Sequence, residues 1–194
     1  MALPVLLVHG IWDVGAKLEP IARGLERAGV PKTTCITLSR NDGSVSMLSL
    51  ASEVAAVAET LGPKIDLVGF SMGALVSRAY IQRHGGRDRV RRFVSIAGPQ
   101  HGTFWARFAA PNAHGVRDMA PGSALLRDLE SDADPWGAVE VHTLWTPLDT
   151  MIVPPRSSHL DGATSERQIP VGMHRWLVRD PRAIAHVVRV LTGP

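Results

Sequence analysis

The chain has almost none of the residues that build disulfide scaffolds, and it has no long apolar run. Cys35 is the only cysteine among 194 residues, so neither an intramolecular disulfide nor a cysteine-based metal cage can form. No run of about twenty apolar residues could span a bilayer. The formal net charge is only +3, which gives little attraction to phosphate backbones. We therefore expect no transmembrane segment and no nucleic-acid partner, while the oligomeric state stays unknown.

The amino-terminal residues are not expected to form a secretory leader. The segment MALPVLLVHG lacks a positively charged beginning, and its apolar run is too short for a signal peptide. We expect a cytoplasmic protein, and a secreted mature form with an added Met1 remains an alternative. Hydrophobic residues make up 45% of the chain and charged residues 20%, which is typical of a globular protein with one core. We expect residues 1–194 to form a single domain.

Short apolar runs alternate with amphipathic stretches along the chain. This alternation is typical of parallel βαβ units, so the prediction is an α/β protein with a mostly parallel sheet of about six strands and helices on both faces. The runs LPVLLV and IDLVGF are continuously apolar, which favours positions in the middle of the sheet. We predict strands at 3–8, 33–38, 65–70, 90–96, 139–145 and, more weakly, 168–171, and helices at 15–28, 46–61, 72–84 and 181–191.

The stretch 98–136 differs from the rest of the chain. It is rich in proline, glycine, alanine and isolated aromatic residues, with one short helical pattern at 123–129. Loop-rich excursions of this length usually carry function. We expect the depth of the pocket to depend on how this excursion folds over the rim.

The segment Gly69-Phe70-Ser71-Met72-Gly73 joins a predicted strand to a predicted helix. This is the setting of a nucleophile elbow, in which small residues two positions before and after a strained nucleophile let strand and helix approach. The helix would also begin directly after Ser71, where free N–H groups favour developing negative charge. The pattern predicts that Ser71 is a catalytic nucleophile.

A serine nucleophile needs a base, and the base needs an orienting acid. In this type of fold they follow the serine in the order acid, then histidine. Asp149 directly follows the predicted strand 139–145, and His174 lies between the last predicted strand and the closing helix. We predict Asp149 as the acid and His174 as the base, and three other carboxylates remain as substitutes for the acid: Asp132, Asp134 and Asp161.

The remaining histidines have ordinary structural interpretations. His84 and His186 are expected to be caps or surface groups, His142 lies within a predicted strand, and His9 is a weak alternative base. Two more, His114 and His159, lie in loops without an identifiable orienting partner.

Main-chain donors for an oxyanion are predicted beside the nucleophile. A glycine after the first strand, Gly10, lets the following backbone turn toward the pocket, which makes the Ile11 N–H one candidate. The Met72 N–H, directly after the nucleophile, is the second. Apolar residues near the predicted rim would bind an acyl chain, and the candidates are Trp12, Phe104, Trp105 and Phe108.

Taken together, these motifs resemble the small bacterial lipases and esterases of the α/β-hydrolase superfamily. The resemblance covers most of the chain through VLLVHGIW, DLVGFSMGALVSR, FVSIAGPQHGTFWA, RDMAPGSALLRDL, LDTMIVPP and VGMHRWL. It implies a minimal α/β-hydrolase fold in which strand 3–8 lies between strands 33–38 and 65–70. It also implies a Ser71–Asp149–His174 triad that needs no metal and no cofactor, with Ile11 and Met72 as oxyanion donors.

The sequence departs from that family pattern beside the nucleophile. Phe70 stands where many relatives have histidine, and Ala74 replaces a second glycine. The chain is also short for a lipase with a large mobile lid, so we expect an esterase or lidless lipase acting on a small-molecule or lipid ester without interfacial activation. Thioesterase, amidase or acyltransferase chemistry on the same triad is an alternative, and a non-catalytic lipid or partner binder is a weaker one.

Overall fold

Six parallel strands form a single sheet in the computed structural model, which describes residues 2–193. The strands follow the order β2-β1-β3-β4-β5-β6, so β1 lies between β2 and β3, as the resemblance implies. All five neighbouring pairs are parallel. The strand bounds are β1 Val5–Val8, β2 Thr33–Ile36, β3 Ile65–Phe70, β4 Val90–Ile96, β5 Glu140–Trp145 and β6 Ser165–Gln168.

Helices cover both faces of the sheet and produce two separate layers of core. Their bounds are α1 Glu19–Arg27, α2 Met47–Leu61, α3 Met72–Arg83, α4 His114–Asp118, α5 Ala124–Glu130 and α6 Pro181–Thr192. Apolar residues of α1 and α6 pack on one face, while those of α2, α3 and α5 pack on the other. The predicted α/β fold with helices on both faces is therefore confirmed.

The central strands form where the sequence is apolar on both faces. Every residue of β1 and β3 is buried, because helices from both layers exclude water from them. Side-chain caps then fix where two of the helices begin. The Ser46 hydroxyl accepts the Ser49 N–H at the start of α2, and the Asp180 carboxylate accepts the Arg182 N–H at the start of α6.

The last strand lies three residues before its predicted position. The prediction placed it at 168–171, whereas β6 is Ser165–Gln168. The reason is that β6 is an edge strand whose side chains are exposed or half-buried, so its sequence SERQ carries no apolar signal. The apolar residues that suggested the strand, Ile169 and Val171, are buried in the segment that leads to His174.

The excursion 98–136 is packed against the body of the protein. A 3-10 helix at Phe104–Phe108 is followed by α4 and α5. Its apolar residues Met119, Leu126 and Leu129 belong to the same core cluster as α2 and α3. The burial of these apolar side chains stabilises the packing of the excursion against α2 and α3, so the excursion is part of the protein core.

Candidate active site

Ser71 occupies a strained turn between β3 and α3. Its φ of 55° and ψ of −127° are unfavourable for a residue with a side chain. A Cβ on Gly73 would lie 2.3 Å from the His9 carbonyl oxygen, and one on Gly69 would lie 2.5 Å from the Ala74 Cα. Only glycine fits at both places, and the geometry is that of a nucleophile elbow.

Asp149 and His174 form a buried pair at the carboxyl ends of β5 and β6. The His174 Nδ1 lies 2.7 Å from the Asp149 Oδ2. The other carboxylate oxygen, Oδ1, accepts the backbone N–H groups of Met151 and Ile152, both at 2.9 Å. The carboxylate is thus fixed on one side by the backbone and on the other by the imidazole. An Nδ1–H donated to Asp149 leaves the His174 Nε2 as the proton acceptor.

A single pocket of about 330 Å³ contains Ser71 and His174. The His174 Nε2 is buried there and has no hydrogen-bond partner among residues 2–193. The ring of Phe70, next to Ser71 in the chain, packs on the imidazole with centroids 4.9 Å apart. An apolar ring therefore packs on the predicted base, His174, at the position where many relatives of the resembled family have a histidine. The structure brings all three predicted triad residues to one site.

The two predicted oxyanion donors lie at this site as well. Ile11 lines the pocket, and its N–H forms no backbone hydrogen bond in the part of the chain that the structure describes. Met72 is the first residue of α3, so its N–H has no acceptor within the helix. A Cβ on Gly10 would come within 2.9 Å of the Ser71 Cβ, which shows how closely this loop approaches the nucleophile.

His9 supports the loop after β1. Its Nε2 accepts the Leu38 N–H at 3.0 Å, and its Nδ1 lies 2.7 Å from the Gly10 carbonyl oxygen. Burial lowers the pKa of His9, which keeps the ring neutral. Because both ring nitrogens are engaged, His9 has no free nitrogen with which to act as a base.

The predicted substrate-binding aromatics are divided between the pocket and the surface beside it. Trp12 lines the pocket, whereas Phe104, Trp105 and Phe108 do not. We call residues 146–154, the segment after β5 that carries Asp149, the acid loop. The Trp105 Nε1 donates to the carbonyl oxygen of Thr150 in this loop, and the three aromatic rings pack on one another on the outer surface beside it. No residue of the excursion 98–136 lines the pocket, because its aromatic residues lie on the outer surface. The expectation that the excursion determines the depth of the pocket is therefore wrong.

The substitute acids are engaged elsewhere. Asp132 forms ion pairs with Arg83 and Arg87, and Asp134 accepts the Gly137 N–H in a local turn. Asp161 lies 3.3 Å from His159 on the exposed surface. None of the three contacts His174.

Two histidines differ from their predicted settings. His159 does have an orienting partner, because its Nδ1 lies 2.6 Å from a Glu166 carboxylate oxygen on β6. His186 is buried at 8% exposure, because it lies on the side of α6 that faces the core. The sequence pattern missed both because their surroundings come from other elements.

Two threonines that the sequence did not single out hold the acid loop. The Thr146 hydroxyl donates to the Val171 carbonyl oxygen and accepts the N–H groups of Val171 and Leu148. The Thr103 hydroxyl donates to the Met151 carbonyl oxygen at 2.7 Å. Thr146 thus ties the loop that carries Asp149 to the segment that leads to His174.

Comparison with known sequences gives the family. The model of the palmitoyl protein thioesterase family matches residues 4–132, which include the elbow and most of the excursion. The chain belongs to the palmitoyl protein thioesterase family. Palmitoyl-protein thioesterase 3 of Dictyostelium discoideum is 31% identical over 143 residues, which cover 69% of this chain. The chain spans about half of that relative, 48% of its length.

Solved structures of low sequence identity share the fold. Lipase B of Aspergillus fumigatus superposes with a TM-score of 0.77 at 16% identity, covering 99% of this chain and 53% of its own. A lipase of Bacillus licheniformis in its mature form has a TM-score of 0.76 at 16% identity, covering 98% and 92%. A bromoperoxidase of Bacillus anthracis has a TM-score of 0.73 at 16% identity, covering 100% and 93%.

The side chains and helices of residues 2–193 bear on metal binding and on membrane crossing. No group of three or more histidine, cysteine or acidic side chains within that range is arranged to hold a metal ion. Within the same range, none of the helices combines the length and the apolar character that crossing a bilayer requires.

Proposed function

We propose that this protein is a serine hydrolase that cleaves fatty-acyl ester bonds, with acyl thioesters as its preferred substrates. The observation that carries the proposal is the His174 Nδ1–Asp149 Oδ2 contact of 2.7 Å in the pocket that also holds Ser71. The family match supports the thioester, and it covers Ser71 but ends before Asp149 and His174. Geometry alone therefore supports the roles of those two residues.

The arrangement supports a two-step acyl transfer to water. The Ser71 Oγ attacks the acyl carbonyl carbon while the His174 Nε2 accepts its proton, and Asp149 stabilises the imidazolium that forms. The carbonyl oxygen becomes an oxyanion that accepts the N–H groups of Ile11 and Met72. Collapse breaks the carbon–sulfur bond, and His174 protonates the leaving thiolate. Water then attacks the acyl-Ser71 ester and gives one proton to His174. His174 passes that proton to the Ser71 Oγ as the acyl–oxygen bond breaks, which releases the carboxylic acid and restores the free enzyme.

The walls of the pocket suit an acyl chain. Trp12, Met151 and Met173 line it and are themselves largely exposed, so apolar surface continues from the pocket to solvent. The pocket volume of about 330 Å³ lies at the lower end of the range for ligand sites, which is roughly 300 to 1,000 Å³. We propose that the carbonyl end of a long acyl chain lies in the pocket while the rest contacts the apolar rim.

Hydrolysis rates on matched substrates test this function. Purified protein is assayed with a hexadecanoyl thioester, the corresponding oxyester and the corresponding amide, below their solubility limits. We expect kcat/KM to be highest for the thioester, measurable for the oxyester and lowest for the amide. Ser71→Ala should reduce the first two by roughly 10⁴-fold or more. Faster hydrolysis of the oxyester than of the thioester would show that oxyesters are the preferred substrate class. Hydrolysis by Ser71→Ala at the wild-type rate would overturn the proposed nucleophile.

A further inference from the structure

The exposed apolar side chains of the protein are concentrated at one edge of the sheet. Ten large hydrophobic side chains are exposed among the described residues, and nine lie in the segments 12–14, 104–108, 148–151 and 173–176. These segments follow β1, β4, β5 and β6, so all lie at the carboxyl ends of the strands. The tenth, Leu48, is the second residue of α2, which follows β2. We call the exposed residues of the four segments the rim surface.

The rim surface surrounds the mouth of the candidate active site. Trp12, Met151 and Met173 belong to both the rim surface and the pocket lining. The Trp105 indole is bonded to Thr150, which also lines the pocket. Monomeric proteins rarely expose contiguous apolar patches beyond a few hundred Å², and larger patches mark interaction sites.

The charges around the rim surface have one sign. Arg107, Arg175 and Arg179 are exposed, and none of them forms an ion pair with another described residue. The two acids of the same segments leave no free negative charge at the surface, because Asp13 pairs with Lys17 and Asp149 is buried in its contact with His174. The uncompensated charge beside the exposed aromatic rings is therefore positive.

We propose that the rim surface docks on an anionic lipid surface, with the mouth of the pocket facing the membrane. Tryptophan and phenylalanine rings enter the boundary between headgroups and acyl chains, and nearby arginines attract anionic headgroups. A second copy of this chain fits less well. Two symmetric copies would bring the same arginines of each protomer together and repel.

Docking requires no lid and no catalysis, so it goes beyond the proposed function and can be measured separately. The excursion is packed into the core, and the rim surface is exposed as it stands. Binding is therefore measured with the Ser71→Ala protein, in which substrate turnover plays no part.

Vesicle sedimentation tests the proposal. Ser71→Ala protein is mixed with two kinds of vesicle. One kind contains only phosphatidylcholine, and the other contains phosphatidylcholine with about one third phosphatidylglycerol, which is anionic. We expect strong partitioning only onto the anionic vesicles, weakened by high salt. Adding Arg107→Gln or Arg179→Gln should lower the partition coefficient by about fivefold each. Trp176→Ala should lower it several-fold, because less apolar area enters the bilayer.

The matched control removes an exposed cation at the opposite edge of the sheet. Arg27, at the end of α1, is such a cation, and Arg27→Gln should leave partitioning unchanged. Equal binding to both kinds of vesicle, or an equal loss in Arg27→Gln, would overturn the proposal. A protein that sediments as a dimer without lipid and is separated into monomers by Trp176→Ala would show instead that a second copy covers the surface. In protein that keeps Ser71, the single variants Arg107→Gln and Arg179→Gln should hydrolyse monomeric substrate at the wild-type rate. This result would exclude misfolding as the cause of weaker binding.

Discussion

The strain at Ser71 shows how single residues make this site. A serine with a φ of 55° persists only where its neighbours hold it, and here Gly69 and Gly73 permit backbone contacts that any side chain would block. Asp149 is held in a similar way, because two backbone N–H groups and one imidazole occupy its carboxylate. In the proposed reaction both residues would be held in place before substrate binds, which would reduce the reorganisation that the reaction requires.

Replacement of the acid tests its assignment. Asp149→Asn keeps the size of the side chain but removes the charge that orients His174 and stabilises its protonated form. We expect kcat to fall by roughly 10³- to 10⁴-fold, measured on a soluble oxyester or thioester. Asp161→Asn is the control, since that carboxylate is exposed and remote from His174. Near-normal turnover in Asp149→Asn together with a large loss in Asp161→Asn would reverse the assignment.

At the scale of elements, the sequence predicts strands and helix starts best where burial or capping decides them. Strands β3 and β4 have the predicted bounds, and Ser46 and Asp180 cap their helices. The stretch 15–28 was predicted as one helix, but residues 15–18 form a 3-10 turn because Pro20 favours the first turn of the α-helix. β6 was misplaced because an exposed edge strand lacks an apolar pattern.

The parts of the site that could be predicted are those with a signal in their own stretch of sequence. Ser71, Asp149 and His174 each follow a local signal at a strand end, so sequence alone suggests them. The hydrogen bonds of Thr146 could not be predicted, because its partner Val171 is 25 residues away and carries no motif. The outward position of Phe104 and its neighbours also depends on distant contacts with the acid loop.

Removal of the Thr146 hydroxyl tests how these two loops are held together. Thr146→Val keeps the shape of the side chain but leaves buried backbone groups of Val171 and Leu148 without their partner. We expect the free energy of unfolding to fall by about 1–3 kcal/mol. We also expect kcat to fall by roughly tenfold as the acid and base lose alignment. Urea unfolding and steady-state kinetics measure the two effects. Thr146→Ser restores the hydroxyl and should recover both, and failure to do so would show that packing, not the hydrogen bonds, matters here.

At the scale of the whole molecule, one sheet separates two core layers and leaves its carboxyl edge for function. The layer of α1 and α6 also buries His186, which has no carboxylate partner among residues 2–193. Burial and the positive charges of Arg189, Arg167 and His142 lower the pKa of His186 to about 4. The unfolded chain binds this proton near its ordinary pKa of about 6.5. The stability that the neutral form of His186 contributes is therefore fully present above about pH 6.5, and it is lost as the pH falls toward 4.

Removal of this histidine should reduce the acid sensitivity of the fold. For wild-type protein we expect the free energy of unfolding to be lower at about pH 5 than at about pH 7 by roughly 2 kcal/mol from His186. His186→Gln should lessen this difference, and His114→Gln, at an exposed position, should not. Chemical unfolding at the two pH values measures the change. An unchanged pH dependence in His186→Gln would show that His186 takes up its proton in the folded protein.

The most direct measurement of the central claim is covalent labelling by a fluorophosphonate, followed by mass spectrometry of the intact protein and its peptides. An activated serine attacks the phosphorus and displaces fluoride, whereas an ordinary hydroxyl does not react at a comparable rate. The assignment of Ser71 as the nucleophile predicts one adduct per chain, located on the peptide that contains Ser71, and no adduct in Ser71→Ala. Adduct on another residue, or equal labelling of Ser71→Ala, would contradict it.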